Sequence, residues 1–297
     1  MNIGFFGDGE WAKKFIGYAL DLDYINIKFI VLRYGVDNSE IRDIVIKKSI
    51  DIYEFEKINS NEVSEVLSKY SVDLFVSISY NQIFSRSILN IPKLISINTH
   101  AGMLPFYRGR NPINWAIINN EKFIGMTVHC IDENIDTGDI ILQELIEVSE
   151  TAYYDEILKV CVDMAAQLTL EAIKKISENS YCLTKQVEIH PYGFYCIRRG
   201  VKDQIINWSN SSKNVFNHIR ALHAPNLYAI TYYKGEIILI KKAKEIKEAS
   251  NYIGVPGSII HICPDKSFFV KTGDSSIQVC TYESLTEFKI RVGEILG

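Results

Sequence analysis

The run Asn2-Ile3-Gly4-Phe5-Phe6-Gly7-Asp8-Gly9-Glu10-Trp11-Ala12 reads as an apolar strand, a glycine-punctuated loop and the first turn of a helix. A strand apolar on both faces belongs in a sheet covered by helices on each side. Working outward, β-rich runs at 25–32, 51–53, 73–79, 94–99, 125–131 and 139–148 alternate with helical patterns, the mark of βαβ units on a largely parallel sheet. Beyond them Ile157, Val160, Cys161, Met164, Leu168, Ala172 and Ile176 recur three and four apart, so a long amphipathic helix closes a first domain, residues 1–180. Residues 181–200, with Pro191, Gly193 and the Arg198-Arg199-Gly200 turn, hold no sustained period and are predicted as a linker. From 201 to 297 a helix at 212–222 precedes strands at 228–233, 236–241, 255–262, 267–272 and 277–282. The predicted class is therefore α/β, a mostly parallel sheet flanked by helices, with a smaller β-rich C-terminal domain that is a sheet or barrel.

At 297 residues, 47% hydrophobic and 23% charged, the chain buries a core without disulfides or a structural metal, which excludes disorder as its main state. No apolar stretch approaches the roughly 18 residues of a membrane span. The N-terminus has no basic leader, so a soluble, cytoplasmic protein without membrane partners is expected. Cys130, Cys161, Cys182, Cys196, Cys263 and Cys280 are scattered, as reduced thiols are, and no zinc or iron–sulfur spacing is visible. Net charge is −4, but residues 1–179 carry 17 basic and 26 acidic side chains, whereas residues 180–297 carry 15 and 10. That basic surplus falls short of a nucleic-acid-binding domain and is compatible with a phosphorylated small molecule.

The loop Gly7-x-Gly9-x-x-Ala12 fits a dinucleotide fingerprint. Arg33 stands where an acidic ribose ligand would be expected and would suit NADP, which keeps an NADP-dependent oxidoreductase as one reading. Asp8 and Glu10, however, would set two negative charges beside a pyrophosphate. The other reading is that the glycines permit a tight strand-to-helix turn.

The densest cluster of unusual residues lies between Ser96 and Gln143. Asn98 and His100, two apart, emerge on one side of the fifth strand at its C-terminal end, the edge where open α/β sheets bind ligands. A loop with Pro105, Tyr107, Arg108, Gly109, Arg110, Asn111 and Pro112 follows, then Met126-Thr127-Val128-His129-Cys130 and the turn Asp136-Thr137-Gly138-Asp139. His129, within a strand, reads as a hydrogen-bonded structural residue, and an Asp in such a turn usually caps backbone amides. An amide, an imidazole and a carboxylate converging on one edge nevertheless suit acyl transfer to an amine. The Asn98 N–H would stabilise the oxyanion of a tetrahedral intermediate. His100, with a reference pKa of about 6.5, would take the proton the amine sheds, and Asp136 would orient the imidazole or relay that proton. A GxSxG elbow is absent, so no covalent enzyme nucleophile is required.

Three stretches occur in order: Asn98-Thr99-His100-Ala101-Gly102-Met103-Leu104-Pro105-Phe106-Tyr107-Arg108-Gly109, Gly125-Met126-Thr127-Val128-His129, and Asp136-x-Gly138-x-Ile140-Ile141-x-Gln143. Together they resemble the signature of the N10-formyltetrahydrofolate-dependent formyltransferases. The resemblance covers at least residues 1–180, and Asn207-Trp208 with Ile219-Arg220-Ala221 is similar to the family's C-terminal module. It implies a Rossmann-like catalytic domain in which Asn98, His100 and Asp136 are catalytic. By the same likeness N10-formyltetrahydrofolate is the formyl donor, its pterin lies against Ser79, Tyr80, Asn81, Ile131, Asp132 and Ile135, no metal takes part, and the protein is a homodimer.

Three acceptors compete. The glycinamide ribonucleotide enzymes are usually a single shorter domain. Methionyl-tRNA formyltransferase, the alternative, suits the length and the basic tail, but it carries a basic insertion after the second strand, where this chain has the short stretch 33–40 with Asp37 and Glu40. The Gly7-Asp8-Gly9-x-Trp11-Ala12 opening and the run Tyr107-Arg108-Gly109-Arg110-Asn111-Pro112-x-Asn114-Trp115-Ala116 resemble most strongly the sugar N-formyltransferases. The predicted acceptor is thus the amine of a nucleotide-linked, dTDP-linked 4-amino or 3-amino dideoxyhexose used for O-antigen and lipopolysaccharide synthesis, with no nucleic-acid partner. Trp11, Tyr107, Arg108, Asn111 and Trp115 are its expected contacts, Arg108 for a diphosphate oxygen and the aromatics for the sugar face. Where many members have Pro-Ser-Leu, this chain has Ala101-Gly102-Met103.

Overall fold

The structure, a computed structural model, describes residues 1–225, 227–246, 250–284 and 289–297. Two compact units each draw on several segments. The first comprises Met1–Gly109, Ile124–Ile146 and Lys159–Cys196, and the second comprises Arg110–Phe123, Glu147–Leu158 and Ile197–Gly297.

In the first unit β1 (Asn2–Gly7), α1 (Gly9–Ala19), β2 (Asn26–Leu32), α2 (Ser39–Val45), β3 (Asp51–Glu54), α3 (Asn61–Ser68), β4 (Leu74–Ile78), α4 (Arg86–Leu89) and β5 (Ile95–His100) alternate. The chain continues through β6 (Arg108–Gly109), α5 (Pro112–Ile118), β7 (Phe123–Cys130), β8 (Ile140–Glu147) and α6 (Tyr154–Ser177). Seven strands form one sheet in the order β3-β2-β1-β4-β5-β7-β8. The pairs from β3 to β5 are parallel, and β7 runs antiparallel to β5 with Asn98 opposite His129. The α/β class with a mostly parallel sheet is therefore as expected. Strand order reverses between β1 and β4, the switch point beside which open sheets of this kind bind ligands.

Apolar sequence on both faces explains why the middle of the sheet is dry: every residue of β4 is buried. Phe6 lies 5.0 Å from Phe75 and 4.9 Å from Phe84 between ring centroids, both edge to face, so one β1 side chain ties the sheet to the layer over it. The helix α3 starts at Ser60, whose hydroxyl accepts the Val63 N–H. Helices α2 to α4 are too short to show a sustained period, which is why sequence reading did not place them.

Residues 181–200, read as a linker, contain α7 (Gln186–Ile189) and β9 (Tyr195–Cys196). The strand β9 pairs in parallel with β6, and the segment through Cys196 lies in the first unit. In the second unit α8 (Ser212–Ala221) is followed by β10 (Ala229–Tyr233), β11 (Glu236–Glu245), β12 (Ile259–Ile262), β13 (Phe268–Lys271) and β14 (Ser276–Ser284). These form an antiparallel sheet in the order β10-β11-β14-β13-β12 over a core that includes Trp208, Phe216, Ile219, Phe268 and Val279. The strand expected from 255 begins only at Ile259, because the backbone at Gly257 turns with φ 84. Among the described residues no helix is long and apolar enough to cross a membrane.

Removing the Phe6 ring leaves a cavity at the centre of these aromatic contacts. Phe6→Ala is expected to cost about 3–5 kcal/mol of folding stability, read from urea unfolding of both proteins. A loss below about 1 kcal/mol would contradict this account of the core.

Candidate active site

The strand β5 presents Asn98 and His100 on one side, and the loop after β7 folds back over them. The Cys130 N–H donates to the Asp139 carbonyl at 2.8 Å, and a Cβ on Gly138 would stand 1.9 Å from the Cys130 oxygen. Only glycine allows that close pass. Asp136 itself holds φ 53, a left-handed conformation that aspartate tolerates better than most residues.

Asp136 thereby stands between two imidazoles. Its Oδ2 is 3.5 Å from His100 Nδ1 and its Oδ1 is 3.5 Å from His129 Nε2. The Gly109 N–H donates to Oδ2 at 2.8 Å. The Nδ2 of Asn98 lies 3.2 Å from His129 Nε2. Carbonyl oxygens only accept, which fixes the rings: His129 donates from Nδ1 to the Cys130 carbonyl at 2.8 Å, and His100 donates from Nε2 to the Tyr107 carbonyl at 2.7 Å. A neutral His100 therefore turns its Nδ1 lone pair toward Asp136. A Cβ at residue 102 would stand 2.6 Å from both His100 Nε2 and the Tyr107 oxygen, so Gly102 leaves room for that hydrogen bond.

Burial pushes the His100 pKa down from its ordinary value, against the opposing pull of the Asp136 charge, and leaves the ring neutral at pH 7. Burial alone would raise the Asp136 pKa, but the charge that His100 and His129 carry when protonated, together with the Gly109 N–H, outweighs it and holds the carboxyl well below the usual carboxylate range. The site thus contains an ionised carboxylate facing a neutral ring nitrogen. Such a pair can take up one proton and share it across the 3.5 Å between them.

The expected trio Asn98, His100 and Asp136 is brought together. His129, read as structural, touches two of the three, and recognising that requires knowing that β7 pairs antiparallel with β5. The Gly109 N–H and Gln186 were also missed. Gln186, buried in the supposed linker, donates to the Asp136 and Gly138 carbonyls at 2.9 and 2.8 Å. Among the described residues no group of three His, Cys, Asp or Glu side chains is arranged to hold a metal ion.

Of the residues expected at the pterin, Ser79 follows β4 with φ 58, and Tyr80 stacks on Phe84 at 5.7 Å. Asn81 and Ile135 are exposed. Ile131 packs on the cluster around Phe6. Asp132 accepts from the Thr137 hydroxyl at 2.6 Å and from the Asn134 N–H at 3.0 Å, so its carboxylate is internally satisfied.

The expected acceptor contacts are mostly used inside their own units. The Tyr107 ring is buried against Phe194 at 4.8 Å, and Arg108 donates twice to Gln186 Oε1, at 3.0 and 2.6 Å. In the second unit Asn111 accepts the Arg199 N–H at 3.2 Å, and Trp115 donates to the Ile197 carbonyl at 3.0 Å. Trp11 is half-buried on α1. Arg33 pairs with Asp8 at 3.0 Å across the glycine loop, which leaves its charge neutralised rather than offered to a 2′-phosphate.

Residues 33–173 match the family described as formyl transferase, and residues 200–290 match its C-terminal domain. The chain is 31% identical to the Methionyl-tRNA formyltransferase of Syntrophomonas wolfei over 88% of its own length and 85% of that protein's. It is also 31% identical to that of Acetivibrio thermocellus, over 86% and 85%. The chain belongs to the formyltransferase family, and it is a formyltransferase. Among solved structures it is similar to WlaRD, a sugar 3N-formyl transferase determined with dTDP and 5-N-formyl-THF, with TM-score 0.66 and 21% identity over 97% of this chain and 99% of that one. It is likewise similar to HypX from Aquifex aeolicus in complex with tetrahydrofolic acid, with TM-score 0.63 and 16% identity over 96% and 44%. Those two likenesses are of fold.

The amino-sugar acceptor is therefore corrected: relatives of higher identity over most of the chain are named for methionyl-tRNA. The physical reason lies in the stretch that carried the sugar reading, since Tyr107, Arg108, Asn111 and Trp115 brace the protein itself. The O-antigen assignment and the NADP reading are corrected with it, and the relatives' names do not support the expected lack of a nucleic-acid partner.

A histidine whose pKa is lowered on folding binds its proton more readily when unfolded. Its protonation therefore costs stability as pH falls through about 6.5. The stability advantage of wild type over His100→Asn is expected to shrink between pH 7.5 and 5.5, measured by thermal unfolding of both. A constant or widening gap would contradict the assignment of His100 as a buried neutral ring.

Proposed function

We propose that the protein transfers a formyl group from N10-formyltetrahydrofolate to the amine of methionyl-tRNA, in the cytoplasm. The single observation that carries the acceptor is 31% identity to Methionyl-tRNA formyltransferases over 86–88% of the chain, enough to reach into both family regions. The chemistry is supported by the ionised Asp136 opposite the neutral His100. In this reading Asn98 directs one N–H toward His129 and the other toward the formyl oxygen as it gains negative charge. The His100–Asp136 pair takes the proton of the attacking amine, and no covalent bond to the enzyme forms. The loops 79–81 and 131–135 are the proposed cradle of the folate, supported by the aromatic wall of Tyr80 and Phe84 beside Ile131.

Purified protein mixed with the formyl donor and methionyl-tRNA is expected to add one formyl group to the aminoacyl amine, read by mass after the aminoacyl ester is released. Asn98→Ala is expected to slow that reaction by about 100 to 1,000-fold. No formylated product at saturating donor would overturn the acceptor, and undiminished turnover in Asn98→Ala would remove that residue from the chemistry.

A further inference from the structure

We propose that Gln186 is a positioning residue, which sets the Asp136 loop against the two imidazoles and is itself held by Arg108. Its amide is used in full. The oxygen accepts from Nε and Nη2 of Arg108 at 3.0 and 2.6 Å, and the nitrogen donates to the carbonyls of Asp136 and Gly138 at 2.9 and 2.8 Å. A guanidinium only donates and a carbonyl only accepts, so the orientation of the amide is fixed by its partners. No carboxylate, hydroxyl or cation supplies two acceptor and two donor contacts at that reach. Gln186 is 3% exposed, so water does not replace what it supplies.

Asp136 is a residue with φ 53 in a loop that must pass Gly138 close beneath Cys130. Such a backbone persists only when its surroundings over-determine it. The Gly109 N–H fixes the Asp136 side chain at one end, and Gln186 fixes the backbone at the other. Arg108 closes the circuit, because Arg108 and Gly109 form β6, so the strand that donates to the carboxylate also anchors the glutamine. The segment carrying Gln186 is thereby part of the catalytic support. Arg108, expected at an acceptor diphosphate, is the brace.

The test separates the two halves of the amide. Gln186→Glu keeps an acceptor for Arg108 but sets a carboxylate oxygen, with no proton, against two carbonyl oxygens. It is expected to lower kcat by at least roughly tenfold, since a misplacement of about 1 Å can cost about 100-fold, while the KM for the formyl donor stays within about threefold. The proposal rests on the triad of the proposed function, so a readout independent of any acceptor is included: the imidazole 15N signals of the free enzyme, with His100 assigned by its loss in His100→Asn. These are expected to move, and their titration to change, in Gln186→Glu. If that variant does not unfold cooperatively, Gln186→Asn, which keeps the amide but cannot span both partners, takes its place with the same expectation. Wild type that fails to formylate methionyl-tRNA while the His100 signals still move would sink the acceptor and leave Gln186 standing. Unaltered His100 signals in a folded variant, or unaltered kcat in one, would overturn the role of Gln186.

Discussion

A carboxylate removed from water keeps its charge only where charge-assisted hydrogen bonds and complementary neighbours surround it. Asp136 accepts a backbone N–H from Gly109, and the ring nitrogens of His100 and His129, each 3.5 Å away, become donors to it when an imidazole takes up a second proton; much of the first unit is arranged around this group. The glycine that lets the loop pass under Cys130, the left-handed backbone at Asp136 and the antiparallel turn of β7 all serve to bring this one group to the end of β5. Around it lies a buried polar lattice. Thr127 donates to the Gly102 carbonyl at 2.7 Å, and Gln143 donates to Leu104 at 3.1 Å, which holds the turn after His100 in place.

The sheet was legible in the sequence because β1, β2 and β4 are apolar on both faces and separated by helix-length segments. Asn98 and His100 were legible because a spacing of two puts side chains on one side of any strand. Asp136 was legible only as part of a family pattern, since nothing local says that its loop folds back. His129 was missed for a related reason: its partnership with Asn98 is a register, and register belongs to two strands at once. Gln186 was hidden because residues 181–200 lack a period. That segment is short, with one helical turn and two strand residues, yet it is fixed by tertiary hydrogen bonds that periodicity does not encode.

The acceptor shows a different failure. A run of aromatic and basic residues from Tyr107 to Trp115 looked like a ligand platform, because such residues are costly to place without purpose. The structure gives them an internal purpose: Arg108 spends two donors on Gln186, and Trp115 spends its indole N–H on a backbone carbonyl. A short stretch of distinctive residues therefore identified the chemistry and misled on the substrate. Likeness over the length of the chain, across both family regions, bears on the acceptor more directly.

The claim on which the rest depends is that a charged Asp136 is the partner His100 needs. Asp136→Asn is nearly isosteric and still accepts the Gly109 N–H, but it carries no charge with which to share a proton. Single-turnover formyl transfer at pH 7.5 by this variant is the direct test. A rate at least about 100-fold below wild type, with donor binding little changed and the variant still folded, is expected. A folded Asp136→Asn enzyme whose rate lies within about threefold of wild type would contradict the account, because general acid–base assistance is typically worth about 100-fold or more.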